Sequence, residues 1–235
     1  KSNSRSALAN YCNKHYSFVP NLLPELAVQL DPRMVLESLA QRYGYGALQQ
    51  ALSPLQTTTS PIAGQQTTEW IKSANMVGGN VRTVQSFWNV VKYALTLPES
   101  QSSIHLLPMW EPGVVASLYG MASWQINPEF FSTELYHLVP QLDTVEKQLK
   151  AVINLLHLMG KTAGMDVIPH TDRYSEMVLA QPQYFEWLRR KDMVITEYRA
   201  NLHEAAQGAI MSWLIRNGTA NAHQSYPVEI ETFFS

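Results

Sequence analysis

Up to residue 53 the apolar positions recur at helical spacing. Leu22, Leu23, Leu26 and Leu30 form one group, and Met34, Leu36, Leu39 and Leu48 form the next, with Asp31-Pro32 as the break between them. Residues 1–53 are therefore expected to be a helical region. Residues 54–67 are rich in Pro, Ser, Thr and Gln and lose the periodicity, which marks them as a linker.

From Thr68 onward the pattern alternates short apolar runs with amphipathic stretches. Trp70-Ile71 is expected to open a strand and Gly78-Gly79 to make a turn. Val84, Trp88, Val91 and Leu95 recur at helical spacing, and Pro98 stops that helix. The run Ile104 to Trp110 suits a buried parallel strand, although periodicity alone leaves a helix open. The clearest helix carries Val145, Leu149, Val152, Ile153 and Leu156 on one face, with a capping-box-like start at Asp143 and Glu146 and a stop at Gly160. Gly164 to Pro169 then reads as another buried strand. Strand, helix and strand at this spacing form a βαβ unit with a right-handed crossover, so the middle of the chain builds a parallel sheet.

Beyond His170 the pattern is helical again. Tyr184, Phe185, Trp187 and Leu188 cluster first. Val194, Tyr198, Leu202, Ala206, Ile210 and Trp213 follow at helical spacing, closed by Asn217-Gly218. Tyr226 to Phe234 has a strand-like composition. No internal repeat or low-complexity segment is detected.

Composition narrows the function classes. With 46% hydrophobic and 15% charged positions among 235 residues, the chain can bury a sizeable core. The 17 basic residues against 19 acidic ones give a charge of -2, which offers no excess of cations to a phosphate backbone, so nucleic acid is not expected as a partner. The single Cys12 cannot form an internal disulfide, which fits a reducing, cytoplasmic setting. No apolar run approaches the ~20 residues needed to span a bilayer, so no membrane partner is expected. The chain begins with Lys1 rather than Met, as expected of a processed protein or an excerpt from a longer one.

Ligands of parallel sheets gather at the carboxyl ends of the strands. That directs attention to Trp110, Glu111, Asp166, His170, Thr171, Asp172 and Arg173. An aromatic ring offers a flat face to a sugar, while carboxylates and imidazoles hydrogen-bond hydroxyls or move protons. The same residue types also cap helices and satisfy loop backbone, and both readings stand at this point. No His-x-x-x-His or Cys-rich pairing supports a metal site, Gly78-Gly79-Asn80 lacks a phosphate-loop pattern, and no Gly-x-Ser-x-Gly elbow is present. Neither metal nor cofactor is expected.

Ile104 to Trp110, Tyr119, Ile126-Asn127-Pro128-Glu129-Phe130, the helix that follows, and Met165 to Thr171 occur in an order that resembles the second to third strand of the α-amylase superfamily of glycoside hydrolases. The resemblance covers roughly residues 68–175. It implies an α/β fold in which residues 68–172 are the first three strands of a (β/α)8 TIM-type barrel, preceded by the N-terminal helical segment and followed by a mainly helical insertion, 173–235, after the third strand. It also implies that Tyr119 stacks beneath a sugar, that Asp166 organises the sugar site, and that Trp110 and Glu111 lie near its mouth. Counted from Asp166 without a gap, His170 falls where the family has an Asn and Thr171 where it has a sugar-binding His; a one-residue deletion restores His170 to the sugar. Either way the usual Asn is missing, and no calcium site is expected.

A retaining glycosidase needs two carboxyl groups about 5 Å apart. In the family they come from the fourth and fifth strands, with a third acid after the seventh, and none maps onto this chain. The expectation is the amino-terminal portion of a glycoside hydrolase or transglycosylase acting on α-glucosidic sugars, with an α-glucan or oligosaccharide as substrate and its catalytic carboxylates outside these 235 residues, which alone are inactive. The alternative is a non-catalytic sugar-binding or scaffold protein derived from the same fold. In both cases the open sheet edge calls for cover by a protein partner or by the remainder of the barrel.

Overall fold

The computed structural model describes residues 8–168, 172, 175–181, 208–210, 212, 213 and 215–217. The chain divides into two compact units, Lys1–Asp172 and Arg173–Ser235.

The first unit is mixed α/β. Residues 8–12 are helical (α1), followed by α2 (Pro24–Ala27), α3 (Pro32–Tyr43) and α4 (Tyr45–Leu52). The break expected at Asp31-Pro32 is the start of α3. The Asp31 carboxylate accepts the main-chain N–H groups of Arg33 and Met34, and Pro32 gives up no bond because the first helical N–H has no partner anyway. Gly44, at φ +96°, turns the corner directly into α4.

The remaining elements are α5 (Trp70–Ser73), β1 (Met76–Gly79), α6 (Val81–Val84), α7 (Phe87–Ala94), β2 (Ser103–Leu106), β3 (Trp110–Pro112), β4 (Met121–Ile126), α8 (Thr133–Leu138), α9 (Val145–Leu158) and β5 (Thr162–Met165). Trp70-Ile71 is thus a helical turn rather than a strand. Gly78-Gly79 is not a turn but the end of β1; its poor strand propensity is overridden by pairing with His105 and Leu106 of β2. The cap of α9 is Thr144, whose hydroxyl accepts the Lys147 N–H. Asp143 instead takes the Lys147 ammonium at 2.6 Å, a hydrogen bond that holds its carboxyl below the usual range. Gly160, at φ +76°, ends the helix as expected. β5 starts two residues earlier than the sequence pattern suggests and stops at Met165, so Val167 is 67% exposed instead of buried.

β1, β2 and β5 form a parallel sheet in that order, with Gly78 opposite His105 and His105 opposite Gly164. Sequential order with right-handed crossovers sends both helical connections to one face. α7 packs against α9, and Ile104 and Leu106 share a core with Phe87, Trp88, Val91, Val152, Leu155 and Leu156. The opposite face carries Gly78, His105 and Gly164 side by side. β3 and β4 form an antiparallel hairpin inserted after β2.

The helices of residues 8–52 contribute Leu8, Tyr11, Val35, Leu39 and Leu52 to that same core. Residues 54–58, within the segment expected as a linker, are laid along α9. Asn154 Oδ1 accepts the Thr58 N–H at 2.9 Å, and its Nδ2 donates to the carbonyls of Ala51 and Gln56, both at 3.2 Å. Lys150 Nζ donates to the Pro54 carbonyl, and His157 Nδ1 meets that of Thr58. On the other side of α9, the fully buried Gln148 accepts the Ser132 N–H and donates to the carbonyls of Ser132 and Leu142.

Among the described residues of this unit, Lys92 and Lys161 are buried. Lys92 reaches the Glu134 carboxylate at 2.7 Å and the Val28 carbonyl at 3.1 Å. Lys161, just before β5, donates to the carbonyls of Pro98 and Gln101, and burial lowers its pKa to about 8.

In the second unit, α10 (Glu176–Ala180) is capped by Ser175, and residues 208–210, 212, 213, 215 and 216 are helical. The expected cluster at Tyr184–Leu188 and the expected strand at Tyr226–Phe234 lie outside the described residues. Among the described residues no helix is long and apolar enough to cross a membrane.

Two outcomes follow from this packing. Asn154→Leu strips partners from three main-chain groups at once; each costs about 1–3 kcal/mol when orphaned, and part of that is recovered by water as residues 54–58 lift. Urea unfolding should show a loss of about 2–4 kcal/mol. Lys161 is deprotonated above pH 8 in the folded chain but keeps its proton to about 10.4 when unfolded. Unfolding then takes up a proton, so its contribution to stability rises with pH between about 8 and 10. Tyr11, whose phenol burial pushes upward, acts in the opposite sense only above about pH 10. Urea titrations of wild type and Lys161→Met from pH 8 to 9.5 should show a rise in stability that the variant lacks; equal slopes would contradict the assignment.

Candidate functional site

Strand register creates the site. His105 sits opposite Gly164, and Asp166 follows two residues later on the same side of the chain, beside the end of β2, where its N–H donates to the Leu106 carbonyl. The His105 side chain therefore runs diagonally from Gly164 to Asp166. Its Nε2 lies 2.7 Å from Asp166 Oδ1, with about a third of each side chain exposed. This diagonal requires Gly164. A Cβ at that position would fall 2.9 Å from His105 Nδ1. On the other flank, a Cβ at Gly78 would meet nothing within 4 Å, so the sheet face beside the imidazole is open there.

The hairpin supplies the aromatic side. Trp110 Nε1 donates to the Asp166 main-chain carbonyl at 3.1 Å, which ties the start of β3 to the end of β5. The Trp110 and Trp124 rings meet edge to face with centroids 5.2 Å apart, and Trp124 is 43% exposed. Glu111 accepts a hydrogen bond from the Ser123 hydroxyl at 2.8 Å across the hairpin. The loop between β3 and β4 is closed by the Gly113 N–H on the Gly120 carbonyl. It is anchored by Arg82, which pairs with Glu129 at 2.6 Å and donates to the Ala116 carbonyl. Asp172 lies against this hairpin: its N–H donates to the Met121 carbonyl, and a Cβ on Gly113 would fall 2.5 Å from its side chain.

No protein-family model matches the chain, and no curated protein matches it.

Of the residues singled out from sequence, Asp166 and Trp110 are brought together by a direct hydrogen bond. Glu111 and Tyr119 stay on the hairpin. Glu111 is engaged with Ser123, while Tyr119 is 49% exposed in the loop, and neither side chain bonds to Asp166. His170 lies outside the described residues, as do Thr171 and Arg173. The residue that sequence reasoning missed is His105, which lies inside the apolar run Ile104 to Trp110 expected as a buried strand. The available signal was a polar residue between Ile104 and Leu106, each fully buried on the opposite face. What gives it meaning, glycine on both sides in register, is a property of pairing.

Among the described residues no group of three or more His, Cys, Asp or Glu side chains is placed to hold a metal ion. An open depression elsewhere is lined by Gln49, Gln50, Gln56 and Gln141, but two of these amides are already committed to the carbonyls of Thr57 and Leu52. None of the sequence-predicted residues lines it. The arrangement with chemical potential is therefore a carboxylate-oriented imidazole beside exposed tryptophan surface, able to hydrogen-bond hydroxyls and stack against a ring.

Proposed function

We propose that this chain is the amino-terminal part of an α-amylase-type glycoside hydrolase or transglycosylase acting on α-glucosidic sugars, with the first three strands of a (β/α)8 barrel in β1, β2 and β5. The supporting observation is the sequential parallel order with α7 and α9 on one face. A doubly wound sheet reverses its strand order and places helices on both faces, whereas a singly wound one continues around toward closure. The face away from the helices then becomes the barrel interior, and the β5 edge receives the next strand.

In this reading the sugar lies over the carboxyl ends of β2 and β5. Asp166 and His105 offer hydrogen bonds to its hydroxyls, the Trp110–Trp124 pair and Tyr119 offer ring faces, and Glu111 stands at the mouth. The retaining carboxylates belong to strands outside this chain, so it binds sugar without cleaving it. The free thiol of the buried Cys12 supports a cytoplasmic setting.

Titration of the chain with maltotriose and maltoheptaose, followed by tryptophan fluorescence, tests this directly. Saturable binding is expected, weakened about tenfold or more by Asp166→Ala, the scale of a lost hydrogen bond to a charged group. Flat titrations with both sugars would overturn the reading and leave a scaffold that kept part of the barrel.

A further inference from the structure

We infer that His105 itself meets a ligand on this sheet face, beside Asp166. Its Nδ1 is a hydrogen-bond acceptor for a hydroxyl, and Asp166 is the positioning residue that fixes the ring and its tautomer. The inference rests on the sugar-binding reading for the identity of the ligand, but its geometric half stands apart from it.

The argument starts from the carboxylate. An ionised Asp166 only accepts, so the Nε2 facing it at 2.7 Å carries the proton. In the neutral ring the lone pair is then on Nδ1; hydrolytic triads orient an imidazole by a carboxylate in the same way but with the nitrogens exchanged, the carboxylate holding Nδ1–H and the lone pair lying on Nε2. Nδ1 has no hydrogen-bond partner among the described residues, whereas Asp166 is engaged through its side chain by His105 and through its main-chain carbonyl by Trp110. Asp166 is thus held from two sides, and the polar side-chain atoms of the pair without a hydrogen-bond partner among the described residues are His105 Nδ1 and Asp166 Oδ2.

About a third of the His105 side chain is exposed, and Nδ1 is not among the fully buried polar atoms. Gly164 lies beneath it with no side chain, and Gly78, on the other flank of His105, adds none. Any larger residue at 164 collides with the ring, since even a methyl group would fall 2.9 Å from Nδ1. In a sheet whose other face is a packed core, Gly78 leaves open space on one flank of the histidine, and the space a side chain would take at Gly164 is filled by the His105 ring itself. Trp110 and Trp124 border the same end of the sheet and supply the ring-stacking surface that a sugar needs beside a hydroxyl contact.

The experiment uses the whole chain labelled with 15N-histidine, with the His105 signals assigned by their loss in His105→Gln. Long-range proton–nitrogen spectra, recorded where the ring reads as neutral, should show the proton on Nε2. Maltotriose should move the Nδ1 resonance as it saturates the tryptophan fluorescence change. Asp166→Asn should shift the ring toward a mixture of tautomers and weaken maltotriose binding severalfold. Gly164→Ala should abolish the Nδ1 response with the circular dichroism spectrum retained. A proton found on Nδ1, or an unaltered tautomer in Asp166→Asn, would overturn the positioning role whatever the sugar does. Maltotriose binding seen by fluorescence without any Nδ1 response would overturn the contact while leaving the sugar reading in place. No response of either probe to maltotriose, with the proton on Nε2, would overturn the ligand assignment through failure of the sugar reading itself.

Discussion

The burial of α9 on several sides at once is the constraint on which the rest of the first unit depends. Val152, Leu155 and Leu156 are removed from water in the common core, and Asn154 and Gln148 use their side-chain amides to satisfy main-chain groups on either side of the helix. A buried amide with its partners missing costs more than the bonds return when made. α9 therefore fixes where residues 51–58, 132 and 142 run, not merely which apolar surface it covers. Through its contacts with α4, α7 and β5 it makes the N-terminal helices and the parallel sheet parts of one body.

The sheet inherits its two-sided character from that packing. Period-two alternation along β2 sends Ile104 and Leu106 into the core and His105 to the opposite side. With α7 and α9 both on the apolar side, the other face is free to carry residues that would be costly in a core. Asp166 follows at the end of β5, where its N–H still pairs with β2 and its side chain takes the His105 ring. The hairpin after β2 then brings Trp110 back over the same end, and its indole N–H on the Asp166 carbonyl closes the arrangement. Fold and candidate site are linked by these few register relations, which a slip of one residue would destroy.

Much of this frame was legible in the residues. The helix of α9 and its stop at Gly160 follow from periodicity and from glycine's tolerance of positive φ, and the short apolar run containing β2 suits the strand that the parallel βαβ unit needs, although β2 ends at Leu106 and Trp110 belongs to β3. Asp166 and Trp110 are marked in the sequence by their place at the carboxyl ends of expected strands. Other features depend on contacts distant in sequence. Gly78-Gly79 has turn composition and becomes strand only because β2 pairs with it. Residues 54–58 have linker composition but are held by Asn154, about 100 residues away. His105 looks like any histidine in an apolar run until the register places glycine on both sides of it. Thr144 took the cap from Asp143 because Asp143 had Lys147 as a closer partner, a competition between two acceptors that spacing does not rank.

If α9 unites these parts, they open together. Hydrogen exchange reads this at single amides, and the informative one is Thr58, whose N–H ends on Asn154 while the residue itself belongs to an irregular segment. The account predicts that the Thr58 amide exchanges with the same opening free energy as the amides of α9 and of Thr162–Met165 in β5, as one cooperative unit. Exchange of Thr58 near the unprotected rate, with α9 and β5 still strongly protected, would contradict it.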